Sequence, residues 1–317
     1  MSEITTFTPP NSLNTAVLFL VFNRLDTTKQ VFEAIRQAKP PRLYIAADGA
    51  RSSKVGEAAK VTAVRDFILS NIDWDCDVNT LFPDENLGCK VAVSEAISWF
   101  FENEEMGIIL EDDCLPSQSF FWFCEELLQF YRDDERIAMI SGDNFQFGRK
   151  RGDASYYFSR YLHIWGWASW RRSWQHYDRN ADVWPEIRDH RWIDVLITTA
   201  SERKFWAEKF QLVYEKKIDT WDYQWVLSCW SQGMLSIIPS VNLISNIGFG
   251  LDATHTHGVS VYADMSVDSI DFPLIHPDVI LPNKEADRFT SKGMFTSNLF
   301  RRIISKIKAS ILSKLRS

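Results

Sequence analysis

The segment 106-MGIILEDDCLPS-117 sets a short apolar run directly before three consecutive carboxylates. Residues 107-GIIL-110 have the character of a buried strand, and Glu111, Asp112 and Asp113 follow without a spacer. Three adjacent acids repel one another and are costly to bury, so they lower stability unless a cation or hydrogen-bond donors compensate them. The segment therefore predicts a ligand site at a strand end. The alternative is an acid-rich turn before Pro116.

Strands and helices alternate on both sides of this segment. Apolar runs predict strands at 16–22, 43–47, 77–82, 107–110 and 137–142. Helical spacing predicts helices between Asp26 and Pro40 and at about 57–70, 91–102 and 117–131. This order predicts an α/β fold with a mixed, mostly parallel sheet flanked by helices in one continuous domain.

Polar residues follow three of the predicted strands. In open α/β sheets, ligands collect beyond the carboxyl ends of the strands. We therefore expect the loops at Asn23 and Arg24, at Asp48 and at Glu111 to Asp113 to face one site.

Composition indicates an ordinary globular protein. The chain has 317 residues with 45% hydrophobic content, enough for a substantial core. Its five cysteines are scattered without a C-x-x-C pair, which argues against a disulfide framework and a zinc site. The first residues do not resemble a signal peptide, and no apolar run has the length of a membrane span. We expect a cytoplasmic protein.

Charge is distributed unevenly along the chain. Residues 288–317 contain eight basic residues and no acid, so the first 287 residues carry a net charge of −15 against −7 for the whole chain. The segment 299-LFRRIISKIKASILSKLRS-317 places apolar residues on one helical stripe beside basic ones. It predicts an amphipathic helix that binds an anionic membrane surface peripherally at the inner face. A terminal helix packed on the body is the alternative, and the acidic body disfavours nucleic acid as a partner.

Tryptophans distinguish the second half of the chain. Ten of the thirteen lie between Trp165 and Trp230. We predict an N-terminal extension (1–15), a first half (16–145), a second half (146–285) and a basic amphipathic tail (286–317).

The acidic triplet suits one kind of ligand best. Mg²⁺ or Mn²⁺ takes one or two protein carboxylates together with water and phosphate oxygens, which leaves the other acids free to accept hydrogen bonds, for instance from a ribose. The sequence contains no G-x-x-x-x-G-K-[ST] loop, and no G-x-G-x-x-G follows the first strand. A nucleoside diphosphate bridged to the protein by a metal fits this pattern.

Several segments in this order resemble a known family. They are the first strand, the acidic triplet, 137-IAMISGDN-144, the aromatic segment 165-WGWASWRRSW-174, 219-DTWDYQW-225 and 239-PSVNLISNIGFG-250. Over residues 16 to 260 the chain resembles nucleotide-diphospho-sugar transferases of the GT-A (Rossmann-like) fold, in particular the inverting N-acetylglucosaminyltransferase I type and its bacterial relatives. The resemblance implies a UDP-sugar donor, with UDP-N-acetylglucosamine as the candidate, a glycan or glycolipid acceptor, and Mn²⁺ or Mg²⁺.

The resemblance makes residues 16–145 the nucleotide-sugar-binding half and residues 146–285 the acceptor and catalytic half. It also implies roles for single residues. Asp113 would bind the metal, and Glu111 and Asp112 would hold the ribose and the metal's water shell. Arg24 and Asp48 would frame the uracil and its ribose. Lys90 would lie near the nucleotide.

The catalytic base of an inverting transfer is a carboxylate that takes the acceptor's proton. The resemblance assigns this role to Asp222, which Trp221, Tyr223 and Trp225 would shield, so that partial desolvation would raise its pKa. The alternative is that Asp222 caps the helix that begins there.

Two further sets of side chains are candidates for binding. Trp165, Trp167, Trp170 and Trp221 could line an acceptor site, although large aromatic side chains more often lie in a core. His255 in 252-DATHTHG-258 is a candidate for a metal or phosphate contact, with a plain loop histidine as the alternative.

Other functions are compatible with an acidic strand end. A metal-dependent nucleotide-sugar hydrolase or nucleotidyltransferase would also use the triplet, but it would not need a tryptophan-rich acceptor half. A non-catalytic sugar-binding protein of the same fold is a third reading, which Asp113 and Asp222 together disfavour.

Overall fold

The computed structural model describes residues 7–249, 262 and 264–295. Its strands are β1 (Val17–Val21), β2 (Arg42–Ala47), β3 (Asp77–Leu81), β4 (Met106–Glu111), β5 (Cys114–Pro116), β6 (Ile137–Ser141), β7 (Tyr156–Ser159), β8 (Trp167–Trp170), β9 (Leu235–Pro239) and β10 (Ile244–Asn246). Its helices are α1 (Leu25–Ala38), α2 (Glu57–Asn71), α3 (Cys89–Asn103), α4 (Gln118–Phe130), α5 (Arg171–Trp174), α6 (Trp184–Asp189), α7 (Ile193–Leu196), α8 (Ala200–Tyr214), α9 (Asp222–Ser231) and α10 (Lys284–Met294).

Eight of these strands form one sheet in the order β3-β2-β1-β4-β8-β6-β9-β7. Neighbours from β3 to β4 are parallel, as are β6 and β9. Strand β8 is antiparallel to β4 and β6, and β7 is antiparallel to β9. The predicted fold class, a mixed and mostly parallel sheet flanked by helices in a single domain, is confirmed. The sheet also interleaves the two halves of the chain, because β8 from the second half lies between β4 and β6 from the first.

Each face of the sheet carries its own core. Along β1, Val17, Phe19 and Val21 point to one side, and Leu18 and Leu20 point to the other, as the alternation of a strand requires. Helices α1, α2 and α4 pack on the first side, whereas α3, α8 and α9 pack on the second. Because both faces are covered, β1 is apolar throughout, and this explains why its sequence predicts a strand so clearly.

Helix α3 approaches the sheet closely at Gly107. A Cβ atom at this position of β4 would lie 2.3 Å from the Phe100 ring and 2.9 Å from the Ala16 carbonyl oxygen. Any larger residue would therefore push α3 away from the strand that carries the acids.

Most tryptophans of the second half belong to the core on the α3 side. Trp167, Trp174, Trp184 and Trp225 are each at most 5% exposed. Burial of such large apolar side chains, at roughly 2–3 kcal/mol each, stabilises the packing of α8 and α9 on the sheet.

The candidate site is positioned by the edge of the sheet where β1, β2 and β4 end. A small second sheet pairs β5 antiparallel with β10 and brings residues 246–248 beside the acidic triplet. Among the helices of the described ranges, none combines the length and the apolarity needed to cross a membrane. The predicted tail helix at 299–317 lies outside the described residues.

Candidate active site

A cavity of about 510 Å³ opens at the carboxyl ends of β1, β2 and β4. Its walls come from both halves of the chain: the loops after these three strands, the start of α3, residues 164–165, residues 219–222 and residues 246–248. The predicted site residues that line it are Arg24, Asp48, Glu111, Asp112, Asp113, Trp165, Trp221 and Asp222. The structure thus brings together residues that are up to 198 positions apart in sequence.

Glu111 is the last residue of β4 and points into this cavity. No described residue donates a hydrogen bond to its carboxylate. Burial raises the pKa of Glu111 to about 8, and the charges of Asp113, Asp112 and Asp222 add to this increase. A nearby cation would stabilise the ionised form of a carboxyl group that is buried among other acids.

Arg24 compensates the other two acids of the triplet. Its guanidinium donates to Asp112 Oδ1 and forms an ion pair with Asp113 Oδ2 through Nη1 at 2.9 Å. Burial nevertheless raises the pKa of Asp112 to about 6, although the Arg24 charge opposes the shift. The contact with uracil and its ribose that the resemblance implies for Arg24 stays a prediction; in the structure its guanidinium is paired with the two acids.

Gly248 lies directly against this ion pair. A Cβ atom there would lie 2.0 Å from Asp113 Oδ2 and 2.8 Å from Arg24 Nη1. The neighbouring Ile247 N–H donates to the Asp113 carbonyl oxygen at 2.8 Å. Only glycine fits at this position without a shift of its neighbours. The sequence analysis did not select Gly248 as a site residue, although the segment 239-PSVNLISNIGFG-250 contains it.

Asp48 fixes the loop before α3. Its Oδ1 accepts hydrogen bonds from the N–H groups of Gly49 at 2.8 Å and Leu87 at 2.9 Å. Its Oδ2 accepts from Asn86 Nδ2 at 2.8 Å and from the Gly88 N–H at 3.1 Å. Burial still raises the pKa of this carboxyl group above its usual range. With four donors on two oxygens, Asp48 shapes the wall of the cavity.

Asp222 is the first residue of α9, and Trp221 occupies the N-cap position of that helix. The Thr220 hydroxyl donates a hydrogen bond to Asp222 Oδ1. The side chain is half-buried and lies close enough to Glu111 to raise the pKa of that residue. A carboxylate therefore faces the acidic triplet across the cavity from the opposite half of the chain.

Asp219 is a lining residue that sequence reasoning missed. Its carboxylate accepts hydrogen bonds from the backbone N–H groups of Cys89 and Lys90, the first two residues of α3. Lys90 contributes its backbone in this way, while its side chain is not among the described groups that line the cavity. The only advance signal was the repeated acid in 219-DTWD-222.

The four candidate tryptophans divide into two pairs. Trp165 and Trp221 line the cavity. Trp167 is fully buried and stacks on Trp221 with ring centroids 5.8 Å apart, and Trp170 is 2% exposed and donates its indole N–H to the Leu128 carbonyl oxygen. Trp167 and Trp170 thus lie in the core. His255 lies outside the described residues.

The charge of the cavity fits a divalent cation. Among the described residues that line it, seven are acidic and two, Arg24 and Arg51, are basic. Arg51 is itself ion-paired with Glu57. Within the described ranges, no three His, Cys, Asp or Glu side chains are arranged to bind a metal by themselves. The carboxylates present suit a cation that takes its remaining ligands from water and from a bound phosphate group.

Comparison with known proteins finds only distant similarity to solved structures. No family model matches the chain, and no curated protein matches its sequence. Among solved structures, the chain is similar to the galactosyltransferase LgtC in complex with donor and acceptor sugar analogues (14% identity, TM-score 0.36, 90% of this chain and 97% of that one). It is also similar to the mannosyltransferase PcManGT from Pyrobaculum calidifontis in complex with GDP-Man and Mn²⁺ (12% identity, TM-score 0.35, 71% of this chain and 70% of that one). A third similar structure is a UDP-glucose pyrophosphorylase complexed with UDP-glucose (11% identity, TM-score 0.33, 72% of this chain and 90% of that one). Similarity at this level assigns no function to the chain.

Proposed function

We propose that the chain is a metal-dependent glycosyltransferase that uses a nucleoside-diphosphate sugar. The observation that carries this proposal is the position of Glu111, Asp112 and Asp113 in the same cavity as Asp222. A metal-dependent inverting transferase needs a cation site for the donor and a separate basic group for the acceptor, and each half of the chain would supply one of them.

The donor side would be organised around Asp113, with Glu111 beside it. A dianionic diphosphate would be repelled by a cavity whose described lining residues include seven acids and two bases, so its binding requires added positive charge. Asp113 and Glu111 would hold Mn²⁺ or Mg²⁺, which when bound would neutralise the leaving diphosphate. Arg24 keeps the carboxylates of Asp112 and Asp113 close together and fixes their orientation.

Asp222 would act on the acceptor. It would accept the proton of the acceptor hydroxyl as that oxygen attacks the anomeric carbon from the face opposite the diphosphate. This geometry inverts the configuration at that carbon. The Thr220 hydroxyl donates a hydrogen bond to Asp222 Oδ1 and so fixes the orientation of the carboxylate that would receive the proton.

The finer parts of the proposal rest on the resemblance of the sequence to the inverting N-acetylglucosaminyltransferase I type. It favours a UDP-sugar, with UDP-N-acetylglucosamine as the candidate, and a glycan or glycolipid acceptor. Trp165 and Trp221 would present aromatic faces to a sugar ring. The basic segment 299–317 would hold the protein at an anionic membrane surface where such a glycolipid is found.

Calorimetric titration with nucleotides tests the donor site. The titrants are UDP, GDP and their sugar conjugates, each with Mn²⁺ and with EDTA. We expect one nucleotide to bind tightly with Mn²⁺ and to lose that binding in EDTA. Failure of every nucleotide to bind the folded protein with Mn²⁺ present would reject the proposal.

Two substitutions separate the donor and acceptor roles. Asp113→Ala should abolish metal-dependent nucleotide binding. Asp222→Asn should leave the Kd for the nucleotide within about threefold and lower the transfer rate by at least about 100-fold, since a general base contributes 10²–10⁴. A normal transfer rate in Asp222→Asn would show that another group is the base.

A further inference from the structure

The loop between α8 and α9 is fastened to the start of α3 by one side chain. Asp219 Oδ2 accepts the Cys89 N–H at 3.0 Å, and Asp219 Oδ1 accepts the Lys90 N–H at 2.9 Å. These N–H groups belong to the first turn of a helix, where they have no partner within the helix. The helix dipole also favours a negative charge at this end. A carboxylate from residue 219 therefore serves as the cap of a helix that begins 130 positions earlier.

Gly88 shows how closely the two segments fit. Its φ of 79° lies in the left-handed region, and a Cβ atom there would lie 2.9 Å from Asp219 Oδ2. From the other side, the Gly88 N–H donates to Asp48 Oδ2 at 3.1 Å. Asp48 and Asp219 thus hold residues 88–90 between them, one from the end of β2 and the other from the loop before α9.

The same loop carries the candidate base. Thr220 follows Asp219 directly, and its hydroxyl donates to Asp222 Oδ1. Its carbonyl oxygen accepts a hydrogen bond from Gln224 Nε2 at 2.5 Å, so the turn into α9 is also held from within the helix. A movement of Asp219 would therefore be passed on to the Asp222 carboxylate through a single intervening residue.

We propose that Asp219 is a positioning residue that sets the Asp222 carboxylate at its working distance from the donor site. This inference rests on the proposed function, because it assigns Asp219 a role in the same transfer. Asp219 does not touch the reacting atoms. It connects the first turn of α3, on the donor side of the cavity, to the loop that presents Asp222 to the acceptor.

The variant Asp219→Asn tests the proposal. A carboxamide has one oxygen and one N–H₂ group, so it cannot accept from both backbone N–H groups with the geometry of the carboxylate. We expect the Kd for the nucleotide with Mn²⁺ and the KM for the donor to stay within about threefold of wild type, while kcat falls at least about tenfold. Asp133→Asn, at an exposed acid outside the cavity, removes the same charge and should leave all three unchanged.

A kcat for Asp219→Asn equal to that of Asp133→Asn would overturn the proposal. A loss of nucleotide affinity as large as the loss of kcat would also overturn it, because Asp219 would then act on donor binding. The kcat is referred to the concentration of binding-competent protein given by the titration stoichiometry, because a smaller folded fraction would also lower the apparent kcat at unchanged KM.

Amide hydrogen exchange tests the link without relying on activity. In Asp219→Asn, peptides covering 86–92 and 219–225 should both exchange faster than in wild type and in Asp133→Asn. Unchanged exchange in either peptide would disprove the connection. If the wild-type protein binds no nucleotide, the proposed function is rejected, and the catalytic role of Asp219 is rejected with it. Amide hydrogen exchange then still decides whether Asp219 connects residues 86–92 to residues 219–225.

Discussion

At the scale of single residues, Gly248 is the position in the site where substitution is most informative. Gly248→Ala places a methyl group 2.0 Å from where Asp113 Oδ2 now lies, so the carboxylate must turn away from its present position. We expect nucleotide binding with Mn²⁺ to weaken by at least about tenfold, roughly 1.4 kcal/mol, as a misplaced metal ligand would cause. Calorimetric titration measures this effect.

The matched control is Gly233→Ala. A Cβ atom at Gly233 meets no atom within 4 Å, although the φ of 67° makes the substitution strained. This variant should be less stable than wild type but bind the nucleotide normally. Equal affinities for wild type and Gly248→Ala would show that Asp113 does not hold the metal in its present orientation.

Sequence reasoning at this scale finds residues that act locally and misses those that act across the fold. Glu111, Asp112 and Asp113 stand out because three acids follow an apolar run. Arg24 could be selected as a site residue, but its ion pairs with Asp112 and Asp113 span 88 and 89 positions and leave no local pattern. The same holds for the contact of Gly248 with Asp113, which only the antiparallel pairing of β5 with β10 creates.

At the scale of helices and strands, the first half of the chain could be predicted almost to the residue. The runs 16–22 and 107–110 correspond to β1 (Val17–Val21) and β4 (Met106–Glu111), and the helix predicted at 57–70 corresponds to α2 (Glu57–Asn71). Strands covered on both faces produce continuous apolar runs that are easily read. In the described part of the second half, the strands have three to five residues, and α5, α6 and α7 have four to six, whereas α8, α9 and α10 are longer. Elements this short are fixed by tertiary packing and carry too few residues to show a period.

Helix α10 illustrates an element that is held by buried polar contacts. Asp287 accepts a hydrogen bond from the Ser159 hydroxyl at 2.6 Å and lies 3.8 Å from Arg160 Nε. The Ser291 hydroxyl donates to Glu202 at 2.5 Å. Burial raises the pKa of Asp287 to about 6, although Ser159 and Arg160 oppose this shift.

A pH dependence follows from the raised pKa of Asp287. Between about pH 4 and pH 6 the folded chain keeps a proton on Asp287 that the unfolded chain has lost, so this group's contribution to stability is present at low pH and is lost as the pH rises through 6. Asp287→Asn removes this titration. The free energy of unfolding of the variant, taken relative to that of wild type, should therefore increase by about 2 kcal/mol from pH 4 to pH 7. Urea denaturation of both proteins at each pH measures the difference. If Asp287→Asn were less stable than wild type by the same amount at pH 4 and at pH 7, the ion pair of Asp287 with Arg160 would dominate over the effect of burial.

At the scale of the whole molecule, the two halves are built into one sheet and one cavity. Strand β8 of the second half lies between β4 and β6 of the first, and the cavity wall combines residues 111–113 with residues 219–222. The sheet itself therefore holds residues 111–113 and residues 219–222, the groups proposed to act on the donor and on the acceptor, in a fixed relation. The assignment of donor binding to residues 16–145 and of acceptor binding and catalysis to residues 146–285 stays a prediction, because it concerns which substrate each half binds.

The acidity of the cavity predicts how the whole protein responds to metal. Its lining, in the part of the chain that the structure describes, contains seven carboxylates and two guanidinium groups. A divalent cation should therefore bind the folded chain more tightly than the unfolded chain, where these acids are dispersed. At a Mn²⁺ concentration 100 times the Kd, we expect the unfolding free energy to rise by about 2.7 kcal/mol, and EDTA should reverse the increase. Denaturation with Mn²⁺, with EDTA and in an equal ionic strength of NaCl measures this effect and separates it from general screening. Asp113→Asn should lose most of the stabilisation, whereas Asp133→Asn should keep it. An equal response of these two variants would mean that Mn²⁺ acts at surface acids and not in the cavity.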